Sequence, residues 1–191
     1  MSSVTSRFRD QITAAATPTP SSVRTARRRD PPAEAAESLD GSLWLAISDG
    51  QHGISEIRSN GTAGATVRQV KPASVAWWNG AIHAGGMDDG RLWRLVDGKL
   101  VQVADLRCSK INRLVVDGRR GVLLAAGAKP DTFAAIHPDG RMEQIARFED
   151  EKQEKSGEQF DSDICPADGD AILLNRAHAK GCTFLLVNPK Q

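Results

Sequence analysis

The stretch Gly90-Arg-Leu-Trp-Arg-Leu-Val-Asp-Gly98-Lys-Leu-Val-Gln-Val-Ala-Asp-Leu106 contains two short apolar segments joined by an Asp-Gly dipeptide. Apolar and polar residues alternate along the second segment, as they do in a β-strand with one buried face. Asp97-Gly98 is typical of a type I′ hairpin turn, because both central residues of that turn need a positive φ, which Gly and Asx residues tolerate. The stretch therefore predicts an antiparallel β-hairpin.

The same turn signal recurs throughout the sequence after Leu39. Nine Asx-Gly dipeptides occur there, at residues 40–41, 49–50, 60–61, 79–80, 89–90, 97–98, 117–118, 139–140 and 168–169. Strands separated by turns every 8 to 12 residues or so leave no room for the helical crossovers of a parallel sheet. We therefore expect residues 39–191 to form an all-β antiparallel domain.

The hairpin is one copy of a repeat of about 40 residues. Its turn glycine has counterparts, since Gly61, Gly98 and Gly140 are 37 and 42 residues apart. A strand of small residues precedes the hairpin, as in Ala81–Gly86, and an apolar strand such as Ser74–Trp78 precedes that one. This pattern predicts four-stranded units with approximate boundaries at 39–72, 73–108, 109–148 and 160–191.

These units resemble the blades of a β-propeller, with an apolar first strand, a second strand of small residues near the axis, and aromatic residues in the outer two. The Trp-Asp endings of WD40 repeats and the kelch signature are absent, although Ala84-Gly85-Gly86 is similar to the kelch double glycine. The resemblance implies about four antiparallel four-stranded blades, and a simple meander or a β-sandwich is the alternative. One such sheet buries too little area alone, so neighbouring blades must cover its faces.

The fourth unit has no counterpart of the fourth strand after Thr183–Val187. Because an open sheet edge tends to pair with another segment, we expect the array to be completed either by an N-terminal strand such as Ser21–Arg28, or by a partner chain or second copy. A charged insert at residues 149–159 lengthens the junction before this unit. It is interpreted as an exposed loop or as a contact for a basic partner.

Residues 1–38 are rich in Ser, Thr, Ala, Pro and Arg, and they predict an extended or disordered arm with a possible short helix over 3–16. Six arginines against two aspartates give residues 1–30 a charge of about +4, whereas the whole chain carries +1. We expect this arm to dock on a protein surface; a solvated linker and a transit peptide are the alternatives. Nucleic acid is disfavoured, because no aromatic residues separate the arginines of residues 24–29. The predicted docking residues are Arg7, Phe8, Arg9, Arg24, Arg27, Arg28 and Arg29.

Several classes of protein are disfavoured by composition. No apolar run approaches the roughly 18 residues of a membrane span, and the N-terminus lacks the apolar stretch of a secretory signal. Three cysteines, Cys108, Cys165 and Cys182, without a Cys-x-x-Cys pair argue against a disulfide framework and a zinc site. They predict reduced, buried thiols in a soluble protein of a reducing compartment or a particle; the compartment itself is not identified.

No motif predicts a catalytic centre, a metal site or a cofactor. The histidines, His52, His83, His137 and His178, show no metal-ligand spacing, and Asp88-Asp89-Gly90 and Asp161-Ser-Asp163 are interpreted as solvated loops. Resemblance to calcium-dependent propeller lactonases would require Glu, Asn and Asp side chains that converge on the axis. Residues of these types are available at Glu56, Asn112, Asn175 and Asp163.

The sequence therefore favours a non-catalytic structural or interaction protein, a propeller-like body held by its arm to a larger assembly such as a multi-subunit complex or a virion-like particle. Protein partners or a homo-oligomer are expected, and any small-molecule ligand is unidentified. One alternative is a glycan- or peptide-binding module that uses Trp77, Trp78 or Trp93 as an exposed platform, although core packing is favoured for them. The second alternative is a metal-dependent hydrolase.

Overall fold

A computed structural model of the chain describes residues 34–47, 52–149, 162–169, 171–178 and 181–188. These residues belong to a unit that spans Ala33–Gln191, and they contain β-strands and turns but no helix. Within the same ranges, no helix is available that could cross a membrane.

The described strands form four antiparallel sheets, in each of which the strands pair in chain order. Sheet 1 contains β1 (Ala35–Glu37), β2 (Leu43–Ile47), β3 (Gly53–Ile57) and β4 (Ala63–Val67). Sheet 2 contains β5 (Pro72–Trp78), β6 (Ala81–Gly86), β7 (Arg91–Val96) and β8 (Lys99–Asp105). Sheet 3 contains β9 (Lys110–Asp117), β10 (Val122–Ala128), β11 (Asp131–Ile136) and β12 (Met142–Phe148). Sheet 4 contains β13 (Asp163–Pro166), β14 (Ile172–His178) and β15 (Gly181–Val187).

This architecture confirms the predicted all-β, propeller-like array of four sheets. Sheet 4 has three strands within the part of the chain that the structure describes. One boundary differs, because β1 lies inside the segment 1–38 that the sequence analysis assigned to the arm. The three residues Ala35-Ala36-Glu37 carry no alternating apolar pattern, and they are held in the sheet by pairing with β2.

The first strands of the sheets lie next to one another, with β1 against β5, β5 against β9 and β9 against β13. The first strands therefore make the central contacts of the array, and the second strands, which are predicted near the axis, contact the first strand of the next sheet. The residues of the second strands β6 and β10 are small because these strands are buried along their whole length between neighbouring sheets. A methyl group on Gly85 would lie 2.7 Å from Cβ of Ile111 in the next sheet.

Three apolar clusters fill the spaces between consecutive sheets. Sheets 1 and 2 enclose Ile54 and Ile82, sheets 2 and 3 enclose Leu92 and Leu123, and sheets 3 and 4 enclose a cluster around Phe133. All five side chains are 1% exposed or less. Because each contributes about 1.5–3 kcal/mol on burial, contacts between sheets supply most of the hydrophobic stabilisation.

Two kinds of turn are found among the Asx-Gly hairpins. Asn79-Gly80 and Asp97-Gly98 have positive φ at both residues, as the predicted type I′ turns require. At Asn60-Gly61 and Asp139-Gly140 only the glycine has a positive φ, so the type I′ assignment is wrong there. These loops are longer, and the Asx side chain instead accepts the backbone N–H two residues on, for example from Thr62 to Asn60 Oδ1 at 3.0 Å.

Replacement of Gly85 tests the close approach of sheets 2 and 3. We expect Gly85→Ala to lower the free energy of unfolding by about 1–3 kcal/mol, because both Ser74 Oγ in the same sheet, at 2.5 Å, and Ile111 Cβ in the next sheet, at 2.7 Å, must move to admit the methyl group. Gly118 is the matched control, since its φ is not positive and nothing lies within 4 Å of an added methyl. Gly118→Ala should be neutral or stabilising by up to about 1 kcal/mol. Urea unfolding followed by Trp fluorescence measures both, and equal effects would contradict the packing described.

His83 is the one histidine with a strongly shifted pKa among the described residues. It is 2% exposed, its Nδ1 lies 3.2 Å from the carbonyl oxygen of Ala81, and its ring packs 5.1 Å from that of Trp78. Burial is the main cause that lowers the pKa of His83 to about 4; the hydrogen bond to Ala81 opposes this change, and the charge of Arg94 adds to it. The folded protein therefore holds this imidazole neutral.

This burial predicts a loss of stability in mild acid. An unfolded histidine takes up a proton below about pH 6.5, whereas His83 in the folded state does so only near pH 4, so folding is progressively disfavoured as the pH falls between these values. The loss attributable to His83 is about 3 kcal/mol at pH 4. We expect His83→Asn, whose amide can still donate to Ala81, to lose less stability than the wild type between pH 7 and pH 4. Parallel pH profiles of the two proteins would contradict the assignment.

Candidate functional site

The cross-strand pairs align the four sheets residue by residue. One row, read from the first strand to the third, faces the following sheet in sheets 1, 2 and 3. The row is Glu34–Ala46–Ile54 in sheet 1, Ser74–Gly85–Leu92 in sheet 2, Arg113–Ala126–Phe133 in sheet 3 and Asp163–Asn175–Phe184 in sheet 4. Each row begins with a polar residue and ends with a large apolar one.

The polar ends of these rows meet where the first strands converge. Arg113 Nη1 donates to Glu34 Oε1 at 3.0 Å, and Arg113 Nε lies 3.5 Å from Asp163 Oδ1. The Ser74 hydroxyl donates to the carbonyl oxygen of Ile111 at 2.9 Å. We call Glu34, Ser74, Arg113 and Asp163 the axial cluster. One guanidinium thus links carboxylates that belong to sheets 1 and 4.

The carboxylate of Glu34 is the most enclosed charge of the axial cluster. Its side chain is 22% exposed, and it also accepts the backbone N–H of Val75 in sheet 2. Burial raises the pKa of Glu34, and the hydrogen bond and charge of Arg113 oppose that change. The cluster therefore joins side chains or backbone of all four sheets.

The apolar ends of the rows differ in exposure. Ile54, Leu92 and Phe133 are fully buried beneath the following sheet, whereas Phe184 at the same position of sheet 4 is 63% exposed. Leu186, two residues further along β15, is 66% exposed. The exposed side of sheet 4, here called the open face of sheet 4, carries Cys165, Leu173, Asn175, Cys182, Phe184 and Leu186. None of these residues belongs to the three core clusters of the described chain.

The open face of sheet 4 also accounts for the exposure of two of the three cysteines. Cys108 is buried, and burial raises its pKa to about 11, which fits the predicted inert thiol. The prediction is wrong for Cys165 and Cys182, which are exposed because they lie on the open face of sheet 4. All three are free thiols.

The three tryptophans proposed as a binding platform do not form one surface. Trp77 and Trp93 are partly buried against the core between sheets 1 and 2. Trp78, which follows Trp77 along the strand, points to the opposite face and is 8% exposed between sheets 2 and 3. Trp78 is therefore not an exposed platform residue, and core packing, the role favoured from the sequence, is what the contacts of the three side chains support.

The residue types considered for a propeller hydrolase are only partly brought together. Asp163 and Asn175 are cross-strand neighbours, and Asn112 lies at a bulge of β9 beside Arg113. Glu56 lies on the third strand of sheet 1, where its Oε2 accepts the backbone N–H of Ala65 at 2.9 Å. The acid nearest to Asp163 in the axial cluster is instead Glu34, and a guanidinium lies between them.

Other sequence candidates have ordinary surroundings. His137 Nε2 lies 3.3 Å from Glu143, and Asp88 pairs with Lys71 at 3.2 Å. Asp89 accepts the backbone N–H of Arg91. Within the described ranges, no group of three or more His, Cys, Asp or Glu side chains could hold a metal ion.

Several predictions lie outside the described residues. They include the possible helix over 3–16, the candidate closing strand Ser21–Arg28, and the insert 149–159 apart from Glu149. The docking residues Arg7, Phe8, Arg9, Arg24, Arg27, Arg28 and Arg29 fall in the same category. These remain predictions from the sequence.

Comparisons with known proteins find similarity of fold alone. No protein-family model matches the chain, and no curated protein matches it. Among solved structures, a chain of a nidogen–laminin complex superimposes with a TM-score of 0.61 at 17% identity, covering 83% of this chain and 61% of that one. The extracellular domain of a hybrid two-component system from B. thetaiotaomicron matches with a TM-score of 0.54 at 14% identity, covering 83% and 22%. This chain thus spans about three fifths or less of those two chains.

Replacement of Arg113 tests the axial cluster. We expect Arg113→Gln to lower the free energy of unfolding by about 1 kcal/mol, a modest value because the Arg113 side chain is 48% exposed. Arg141 is the control, since it is 59% exposed and its contact with Glu143 is 3.8 Å long. Arg141→Gln should change stability by less than about 0.5 kcal/mol in urea unfolding. An equal effect of the two substitutions would show that the bridge between sheets 1 and 4 contributes nothing.

Proposed function

We propose that this chain is a non-catalytic protein-interaction module that binds a protein through the open face of sheet 4. The observation that carries the proposal is the exposure of Phe184, because the residues at the same position of the other three sheets are fully buried by a neighbouring sheet. The side chain at this position is large and apolar in all four sheets. Sheet 4 differs in the exposure of that side chain.

This face would best bind an apolar surface of a protein. Phe184, Leu186 and Leu173 form a continuous apolar row across β14 and β15, flanked by two thiols. Contiguous apolar patches of this kind on protein surfaces mark interaction sites more often than isolated exposed side chains do. A glycan would need several free polar groups beside an aromatic surface. Among the described residues, the row of Phe184 offers Asn175 and Asp163, and Asp163 already contacts Arg113.

The fold is compatible with this role. The nidogen–laminin structure is, by its description, that of a protein complex, so a propeller-like array of similar shape occurs in a protein assembly. The predicted basic arm would supply a second means of attachment to a larger assembly, because its positive charge is complementary to an acidic surface. We include the arm in the proposal as the sequence predicts it.

Site-specific photo-crosslinking in cells that express the chain tests this function. Replacing Phe184 by p-benzoylphenylalanine keeps an aromatic ring at the centre of the open face. We expect irradiation to attach a protein at this position, and we expect Leu186→Glu to reduce the product, since a buried charge next to the contact is costly.

Leu39 provides the matched control. It is 89% exposed in the turn between β1 and β2, outside the open face of sheet 4. Neither p-benzoylphenylalanine at position 39 nor Leu39→Glu should affect the product formed at position 184. No crosslinked protein at position 184, or an equal yield from position 39, would refute the proposed function.

A further inference from the structure

The array has a second open face, on sheet 1. Its side chains, on the side of sheet 1 that faces away from sheet 2, include Leu43, Leu45, Ile47 and Ile57. These side chains are half-buried, and none belongs to a core cluster of the described residues. We call this surface the open face of sheet 1.

The register assigns this face its counterparts in the other sheets. Leu45 occupies the position of Ala84 in sheet 2, Ala125 in sheet 3 and Leu174 in sheet 4, and these three are 1% exposed or less. Leu43 likewise corresponds to Ile82, Leu123 and Ile172, which are also buried. Each of these counterparts packs beneath the preceding sheet.

The two open faces are therefore the two halves of an interface that the chain already forms three times. Each contact between consecutive sheets packs a face equivalent to the open face of sheet 4 on a face equivalent to the open face of sheet 1. These contacts lie between sheets 1 and 2, between sheets 2 and 3, and between sheets 3 and 4. We propose that the open face of sheet 4 in one copy packs on the open face of sheet 1 in a second copy, so that two chains form a head-to-tail dimer. This rests on the proposed function and names its partner.

Two such contacts close the assembly. Each chain contributes four sheets, and two chains give a ring of eight, within the four to eight or so blades that propellers use. A head-to-tail contact that closes after two copies covers both open faces, which avoids the open-ended growth that such contacts otherwise cause. The same closure would bury Cys165 of each chain.

Light scattering after size exclusion tests the arrangement on the full chain. We expect the wild type to be a dimer, and both Leu186→Glu on sheet 4 and Leu45→Glu on sheet 1 to be monomers. Mixing these two variants should give a dimer held by one contact, because the sheet 4 of the Leu45→Glu chain can pack on the sheet 1 of the Leu186→Glu chain, whereas the other contact carries both glutamates and stays open. Leu39→Glu should remain a dimer. Trp fluorescence of each variant shows whether it is folded.

A thiol measurement covers the case in which Leu186→Glu fails to fold. Cys165 and Leu45 lie on opposite ends of the array, so Leu45→Glu can expose Cys165 only by separating two chains. We expect a thiol reagent to modify Cys165 several-fold faster in Leu45→Glu than in the wild type or in Leu39→Glu. Equal rates would overturn the proposal.

The outcomes separate this inference from the proposed function. A monomeric wild type, or a dimer that survives Leu45→Glu, would overturn the head-to-tail arrangement. If the crosslinker at position 184 then still captures another protein, the interaction module stands and its partner is not a second copy. If position 184 captures nothing, both proposals fall.

Discussion

The structure depends on one constraint: a sheet with apolar side chains on both faces needs another sheet on each side. Sheets 2 and 3 meet this condition within the described chain, because Ile82 and Leu92 are buried on opposite faces of sheet 2, as Leu123 and Phe133 are in sheet 3. Sheets 1 and 4 meet it on one face only. In a stacked repeat, the outer surface of a terminal unit must be polar or covered. Phe184 and Leu186 are apolar and exposed, which is the reason for proposing a cover for sheet 4.

Much of the fold can be predicted from the sequence because the turns of the repeat have a recognisable dipeptide. Asx-Gly dipeptides place the hairpins, and the alternation in segments such as Lys99–Leu106 places the strands between them. β1 could not be found in this way, because Ala35-Ala36-Glu37 has weak strand propensity and is ordered by its pairing with β2. The sequence places the second strands near the axis but does not show that the first strands make the central contacts. Small residues indicate close packing. The sequence does not show whether that packing is between strands at the axis or between the faces of neighbouring sheets.

Less of the candidate site could be predicted from the sequence. Aligning the third strands would have placed Phe184 with Phe133, but only the cross-strand register shows that the two positions face the same way. The axial contact between Glu34 and Arg113 joins residues 79 positions apart, and no local pattern encodes it. The tryptophan platform could have been excluded, since adjacent residues of a strand point to opposite faces, which separates Trp77 from Trp78.

The direction of stacking is fixed by the polarity of each row. Every aligned row runs from a polar residue on the first strand to a large apolar residue on the third, as from Arg113 to Phe133. A covering sheet must therefore bring its own first strand to the polar end, where Arg113 forms ion pairs with Glu34 and Asp163. A sheet laid in the reverse sense would set apolar side chains against these charges and leave them without partners, which is costly. The axial cluster thus orients the sheets, and the apolar ends of the rows supply the burial that holds them together.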